Sequence, residues 1–544
     1  MRGFSVKRAK SLDALRSRAF DVLVVGGGIT GCGIARDAAL RGLSVALVEK
    51  DDFASGTSSR SSRLVHGGVR YLEHGQLHLV FESSAERRRL LRLAPHLVRA
   101  LEFTWPVYRG ARIPRWKLGA GLMLYDLLAL FRNVGRHRRL NARQVLANEP
   151  TLRADGLRGG ASYFDAATND ARLTLANAIA AQEAGAVVVN HAAVTELLHE
   201  GDRIAGAIVR DKRTGSVSSV RASVVVNATG PWSDRVRALD DDTAHAVVRG
   251  SKGVHIAIAR DRIGNRHAIT LLSPIDGRVF FVLPADSMSI VGTTDTFTSA
   301  PPDEVRATAE DVKYLIDSVN AFFPNARLTS NDVCRAWAGI RPLLPTNGST
   351  PGSVSREHAI TWTPRGLLSI TGGKLTTYRV MASQVVDAVA ERLRRPSRRN
   401  LTRDTPLPGG DFASFDVLAA DIARATNDVD LAAHLATAYG SRWRDVWSEI
   451  SNDGAERLVP ALPYTIGEMR YCVRREMAMT IGDLLMRRTH FAFELCGSDA
   501  GDVPARVATA IAPLLGWSAE DEARAVRQYL ETEVPRTFTI DASS

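Results

Sequence analysis

Residues 21–50 read DVLVVGGGITGCGIARDAALRGLSVALVEK. The stretch opens on a short apolar, β-branched run, DVLVV (21–25), of the kind that forms a buried strand. Gly26, Gly27 and Gly28 follow, then small residues at helical spacing from about Ile29 to Arg41. Gly42 stops that helix, and SVALVEK (44–50) reads as a second buried strand. Strand, glycine turn, helix and strand in so short a span predict the opening of a doubly wound α/β sheet. Gly26-Gly27-Gly28-Ile29-Thr30-Gly31 also satisfies G-x-G-x-x-G. Gly26 permits the tight turn, Gly28 lets backbone approach a pyrophosphate at the helix N-terminus, and Gly31 lets helix and strand pack closely. Glu49 ends the second strand, where a carboxylate accepts from ribose hydroxyls and repels a 2′-phosphate. Together these residues predict an ADP-containing dinucleotide.

Outward from this unit, the chain before Asp21 carries Lys and Arg throughout and no apolar run. It reads as a tail or short helix and not as a secretory signal. Residues 76–102 look helical, and Ala171–Ala184 reads as another helix, ended by Gly185. Strand-like runs follow at 187–197, 205–211, 216–230, 278–284 and 289–295. The middle of the chain is thus expected to be a substrate domain on a large antiparallel sheet. Within it, VVVNATGPW (224–232) is an apolar strand ending in Ala228-Thr229-Gly230. Such a strand returns beside a dinucleotide fold and lets a nucleotide come close. No second strand–GxGxxG–helix unit occurs, so no separate nicotinamide site is evident, and FAD is favoured over NAD. ITGGKLTTYR (370–379) ends a strand, turns on Gly372 and Gly373 and starts a helix. The N–H groups at that helix start suit a flavin, which is anionic around N1 and O2 when reduced. A plain glycine turn is the alternative. PSRRNLTRDTPLPGG (396–410) reads as a linker, and Phe412 to about Leu530 is helix-patterned throughout. Residues 1–400 are therefore expected to bind FAD and substrate, and 401–544 to form a helical domain.

The chain has 544 residues, 45% of them apolar and 24% charged, which excludes a disordered or fibrous protein. Cys32, Cys334, Cys472 and Cys496 are far apart, with no C-x-x-C pair and no nearby His at zinc spacing. Four separate thiols in a reducing compartment are expected, with no disulfide framework and no metal site. No stretch reaches the ~18 apolar residues of a spanning helix. The longest run, Leu118 to Phe131, contains Asp126. Net charge is +11, which favours acidic partners. Arg112, Arg115 and Lys117 precede the apolar run, and Arg132, Arg136, Arg138, Arg139 and Arg143 follow it. With Trp116, this segment reads as a helix lying on an anionic membrane surface, or as a buried helix with a basic end. No nucleic-acid-binding module appears, and nucleic acid is not an expected partner.

The segment VVGGGITGCGIARDAALRGLSVALVEKDDFASGTSSRSSRLVHGGVRYLEHGQ (24–76) resembles the N-terminal region of FAD-dependent, membrane-associated glycerol-3-phosphate dehydrogenase. VNATGPW (226–232), VRGSKGVHI (248–256), IVGTTDT (290–296), AGIRPL (338–343), SREH (355–358) and TGGKLTTYR (371–379) continue the resemblance in order. RREMAMTIGDLLMRRTH (474–490) resembles that family's C-terminal helical domain. The family belongs to the glycine-oxidase and D-amino-acid-oxidase class of flavoproteins. The resemblance implies a doubly wound FAD-binding domain interleaved with an antiparallel-sheet substrate domain, followed by an all-α domain. It implies oxidation of sn-glycerol 3-phosphate to dihydroxyacetone phosphate with FAD, electrons passing to a quinone, at the cytoplasmic inner face of the cell membrane. By match to the family's motifs, Arg70, His255, Arg341, Arg356 and Lys374 would form the substrate site. Thr57, Ser58 and Ser59 would lie along the FAD.

The residue types suit that chemistry. A phosphate carries nearly two negative charges, and arginine's fork binds it best. Arg341 stands before Pro342 in a Gly-Ile-Arg-Pro turn, Arg356 in a Ser/Gly/Pro-rich loop, and Lys374 at a helix start. Alcohol oxidation also needs a base for the hydroxyl proton, and histidine suits neutral pH. His255, which heads the strand HIAIA, is preferred over His66, which precedes Gly67-Gly68. Arg341 is expected to polarise the substrate oxygen. The pattern departs from several relatives at Arg63, where they carry Lys. The motifs do not report the electron acceptor. An oxygen-using glycerol-phosphate oxidase or a related amine oxidase stays open, as does, more remotely, a basic membrane- or nucleic-acid-binding protein with an inactive nucleotide fold. The oligomeric state is not legible, and a homodimer stays open.

Overall fold

The computed structural model describes residues 3–69, 72, 75–130, 134–241, 246–344, 357–396, 398–496 and 501–541. Its first sheet grows from the glycine turn. The strand Ala19–Val25 leads through that turn into the helix Ile29–Leu40 and the strand Val45–Val48. Gly26 and Gly42 have φ of +106° and +82°, which only glycine adopts freely, so the chain reverses at both ends of the helix. The two strands pair in parallel, Val22 opposite Val45. The helix is buried along most of its length, packed against the helices Asp170–Glu183 and Tyr378–Arg392.

Among the described residues, eight strands make this sheet. Its main path runs His358–Trp362, Leu367–Gly372, Val217–Asn227, Ala19–Val25, Val45–Val48, Val187–Val189. Val217–Asn227 pairs in parallel with Ala19–Val25, as read from VVVNATG. One expectation is corrected here. The strands Ala192–Glu200 and Arg203–Asp211 form a hairpin that pairs with Val217–Asn227, so they extend the nucleotide sheet and not the substrate sheet. Alternating burial marks a strand without saying which sheet it joins.

Among the described residues the second sheet has ten strands: Val333–Leu343 forms one edge, followed by Arg249–Ala259, Met288–Gly292, Val279–Ala285, Ala268–Leu272, Val98–Tyr108 and Leu157–Thr168. It is antiparallel except where Ala268–Leu272 meets Val98–Tyr108. The run 76–102 is not one helix. The helix ends at Leu93, and Val98–Tyr108 is a strand. Its β-branched and aromatic end, Phe103 to Tyr108, outweighs the leucine spacing before it.

Beyond residue 412 the chain is helical. Phe415–Thr426, Val429–Tyr439, Ile466–Arg475 and Ala519–Gln528 start where Ser414, Asp428, Thr465 and Ser518 accept a hydrogen bond from a first-turn amide. Each such cap is worth about 1 kcal/mol. Leu435, Val446, Ile450, Met469 and Leu484 are fully buried, each worth roughly 1.5–3 kcal/mol over exposure. Buried ion pairs fasten these helices to the nucleotide domain. Arg172 forks onto Glu476 at 2.6 and 3.1 Å, and Arg488 onto Asp52 at 2.6 and 3.0 Å.

The cysteine expectation is also corrected. Cys32 and Cys472 are buried thiols, but Cys334 and Cys496 form a disulfide across 162 residues. The fold brings the strand Val333–Leu343 against the short helix Phe491–Glu494, a contact that no local spacing announces. No helix among the described residues is long and apolar enough to cross a membrane.

Candidate active site

A cavity of about 580 Å³ lies between the two sheets, at the carboxyl ends of the parallel strands, where doubly wound folds bind ligands. At one end it is walled by Gly26, Gly28, Glu49, Ser58, Ala192 and Val194. At the other it is walled by His66, Tyr163, His255, Phe281, Arg341 and Lys374.

The first end is a cradle cut by absent side chains. A Cβ on Gly26 would stand 2.8 Å from Ala228 O, and one on Gly28 would stand 3.2 Å from Ser58 Oγ. A Cβ on Gly31 would stand 1.9 Å from Gly26 O, so Gly31 serves the helix–strand contact and does not line the cavity. Gly28 at the start of this helix has no side chain to cap it; Ser58 Oγ takes the first amide, Ile29 N, at 3.0 Å, and the helix's positive end faces the cavity. Glu49 Oε2 accepts from Gly27 N at 2.6 Å, and its Oε1 from Asp51 N at 2.8 Å. Burial pushes the Glu49 carboxyl up to about 7, against the pull of those two amides. Thr57 and Ser58 line the cavity, whereas Ser59 stands behind it, its N–H on Gly56 O. Gly230, Gly372 and Gly373 line the middle, all at positive φ. The helix of the TGGKLTTYR segment begins at Tyr378, four residues beyond Lys374.

The second end is built by strand register. Ser251, Gly253 and His255 share one face of Arg249–Ala259, because side chains alternate along a strand. Arg341 pairs opposite Ser251, and Trp337 opposite His255. The Arg341 guanidinium therefore lies over Gly253, where a Cβ would come within 2.6 Å of it. It donates to Asp295 Oδ1 at 3.1 Å and Thr293 Oγ1 at 3.0 Å. Gly292, opposite His255 on the other side, leaves room for the imidazole. His255 stacks on Trp337 at 5.6 Å and 15°, and its Nε2 meets Ser62 Oγ at 2.9 Å. Burial, then Arg341 and Arg63, push its pKa down to about 3, so the ring is neutral at physiological pH. Lys374 Nζ reaches Ser83 Oγ at 3.3 Å. His66 is held through its backbone by Thr376 Oγ1.

The structure thus brings His255, His66, Arg341 and Lys374 to one cavity wall, continuous with the glycine cradle. Arg70 and Arg356 lie outside the described residues. Sequence reasoning missed Ser62, Asp295, Gly253 and Gly292, which aim or make room for the two central side chains. All four sit inside quoted motifs, but only the strand register reveals what they face. Arg278 and the aromatic wall of Phe103, Trp105 and Tyr163 were also missed.

The cradle, the buried carboxyl beside it and the long cavity fit FAD. Residues 21–379 match the family model described as FAD dependent oxidoreductase, and residues 400–522 match the C-terminal domain of alpha-glycerophosphate oxidase. The family match makes the chain an FAD-dependent oxidoreductase, and its fold is shared with glycine oxidase. A glycine oxidase from Geobacillus kaustophilus shares this fold at a TM-score of 0.53, with 20% identity over 72% of this chain and 98% of its own. Nearer relatives narrow the class. The aerobic glycerol-3-phosphate dehydrogenase of Staphylococcus haemolyticus is 38% identical over 489 residues, 87% of either chain. Glycerol-3-phosphate dehydrogenase 2 of Mycobacterium tuberculosis is 39% identical over 533 residues, 96% of this chain and 90% of its own. The glycerol-3-phosphate dehydrogenase of Bacillus halodurans, solved with FAD, superposes at a TM-score of 0.82 with 33% identity, covering 98% of this chain and 99% of that one. The chain belongs to the FAD-dependent glycerol-3-phosphate dehydrogenase family.

Proposed function

We propose that this enzyme oxidises sn-glycerol 3-phosphate to dihydroxyacetone phosphate and passes the electrons to a membrane quinone. The observation that carries the reading is a neutral, buried His255 beside the Arg341 guanidinium, in a cavity continuous with a dinucleotide cradle. Oxidising the secondary alcohol removes a hydride from carbon and a proton from oxygen. FAD, when bound, supplies the two-electron acceptor. Gly26, Gly28, Thr57 and Ser58 would hold its pyrophosphate region, Glu49 its ribose, and Gly230, Gly372 and Gly373 its flavin end. His255 takes the hydroxyl proton at Nε2, the nitrogen that meets Ser62 Oγ, itself a hydroxyl of the cavity wall. Arg341, held in place by Asp295 and Thr293, stabilises charge on the substrate oxygen. Lys374, with Arg341, Arg70 and Arg356, selects the phosphate over unphosphorylated alcohols and amino acids. His66 serves as a second polar group of the wall.

The helix Arg115–Leu128 supports attachment at the inner face of the cell membrane. Trp116 is 72% exposed, and Met123, Leu127, Leu130 and Val134 are more than half exposed. The helix's other face, Leu118, Leu122 and Tyr125, is buried. An amphipathic helix with outward apolar residues and basic flanks suits an anionic lipid surface, where a quinone dissolves.

Anaerobic holoenzyme mixed separately with glycerol 3-phosphate, glycerol and glycine tests the reading by flavin bleaching. Rapid bleaching by the phosphorylated alcohol alone is expected. Equal bleaching by glycine would point to an amine oxidase. In air, peroxide formed as fast as quinone-linked turnover would replace the quinone by oxygen.

A further inference from the structure

We propose that Arg63 is a positioning residue for His255, and that the segment 490–496 of the C-terminal helical domain holds Arg63 in place. This inference rests on reading His255 as the base.

Arg63 does not line the cavity, but it is built into the wall behind His255. It follows Ser62, whose Oγ meets His255 Nε2. Its own backbone is left-handed, with φ +54°, a conformation that a side-chain-bearing residue adopts only where its surroundings impose it. Two bonds fix that turn. Arg63 N–H donates to Ser61 Oγ at 3.0 Å, and Arg63 C=O accepts from Thr168 N at 2.8 Å. Ser61 Oγ is in turn anchored on buried Asp170 at 2.6 Å. The turn therefore fixes where Ser62 presents its hydroxyl.

The Arg63 side chain runs away from the cavity into the domain junction. Its guanidinium lies 5.0 Å from the Phe493 ring centre and 5.8 Å from that of Trp337, and Nη1 meets His490 Nδ1 at 3.2 Å. Trp337 is the ring on which His255 stacks, and Phe493 meets Trp337 edge-on at 5.1 Å. The segment carrying His490 and Phe493 is itself fastened to the Arg341 strand. Cys496 bonds Cys334, and Arg335 Nε donates to Ala492 O at 2.9 Å. A continuous contact chain thus joins the helical domain to the base: His490 and Phe493, Arg63, Trp337, His255.

The effect on His255 is electrostatic as well as steric. The charged groups facing its imidazole are Arg341, from the neighbouring strand, and Arg63, from the segment before Leu64. Both oppose a proton on the ring. Around Arg63 itself stand Asp170, His490 and Glu494, the last accepting from Tyr464 OH at 2.9 Å, and His490 is held neutral by burial, then Arg63 and Arg172. A fixed Arg63 thus keeps His255 unprotonated and aimed until an alcohol delivers its proton.

The test compares wild type, R63Q, R63K and F493L holoenzymes in two measurements. One is the limiting rate of anaerobic flavin reduction at saturating glycerol 3-phosphate, from about pH 8 down to about pH 3, where the wild-type His255 midpoint lies. The other is the NMR titration of His255 in histidine-labelled holoenzyme. Removing the cation should raise the His255 midpoint by roughly one pH unit in R63Q. R63K should lie near wild type, and F493L should shift in the direction of R63Q. The phosphate's own titration is common to all four. R63Q slowed by one factor at every pH with an unmoved His255 signal, or R63K displaced as far as R63Q, overturns the proposal. Should R63Q not fold, F493L with a wild-type titration does so alone. H255Q separates the two readings: undiminished reduction there removes His255 as base, whereas a dead H255Q beside an unshifted R63Q removes only the role of Arg63.

Discussion

Glycines in this site act by what they leave out. Gly253 is the clearest case, because the atoms a Cβ would strike are the far end of Arg341. A flexible guanidinium can swing away, so the fold should survive while the charge leaves its post. G253A is expected to keep the wild-type thermal midpoint within a few degrees and to raise KM for glycerol 3-phosphate roughly tenfold, the cost of one weakened charged hydrogen bond. Steady-state kinetics beside a melting curve checks both halves. Unchanged KM would mean that Arg341 does not meet the substrate. Glu49 acts in the opposite way, by presence. E49A should weaken FAD binding by roughly tenfold or more, measured by flavin fluorescence on reconstituting the apoprotein. Both residues stand in stretches quoted from the sequence, yet only Glu49 had a role there. Its spacing from the glycine turn is local information, whereas the partner of Gly253 arrives from a strand about ninety residues away in sequence.

At the scale of elements, the helix Arg115–Leu128 joins surface to site. Inward, Tyr125 OH donates to Asp165 Oδ1 at 2.7 Å, and Asp165 accepts from Gly67 N at 3.0 Å, beside His66. Asp126, which looked out of place in an apolar run, is buried and accepts from His137 Nδ1 at 2.8 Å. Outward, the apolar residues have no protein to cover them among the described residues. Trp116→Glu combined with Leu127→Glu should abolish cosedimentation with anionic vesicles at physiological salt. Turnover with a soluble dye should stay within about twofold, since neither side chain lines the cavity. Vesicle binding that survives the double substitution would assign the membrane contact elsewhere. The sequence showed the apolar run and its basic flanks; it could not show which face turns outward, because that depends on the sheet beneath.

For the whole molecule, the junction between nucleotide domain and helical domain is polar and buried. Arg172 and Glu476 hold it together. Removing one partner strands a charge, so E476A should cost about 3–5 kcal/mol and lower the denaturation midpoint. His96 lies at the same junction, buried edge-on to Phe412. Burial, with Arg172 next, pushes its pKa down to about 3. The sign follows directly. Below pH 6.5 the unfolded chain protonates this histidine while the folded chain does not, so the group costs stability progressively as pH falls from 6.5 toward 3. His96→Gln removes that proton uptake. Relative to wild type, the variant should gain about 1.4 kcal/mol per pH unit over this window, seen as a changing gap between the two denaturation midpoints. A constant gap would mean that His96 titrates normally in the fold.

Residues 21–50 by themselves determined the nucleotide half of this protein. A strand, a glycine turn and a helix are set by neighbours a few residues apart, so their chemistry is written locally. Resemblance of short ordered motifs then supplied the family, and with it His255, Arg341 and Lys374. What only the tertiary structure decided is how distant segments meet. The pairing of Cys334 with Cys496, the seat of the 192–211 hairpin in the first sheet, and Arg63 between Trp337 and Phe493 were all beyond reach. Each depends on sheet register and domain packing across tens to hundreds of residues, and the local periodicity of a chain carries no record of them.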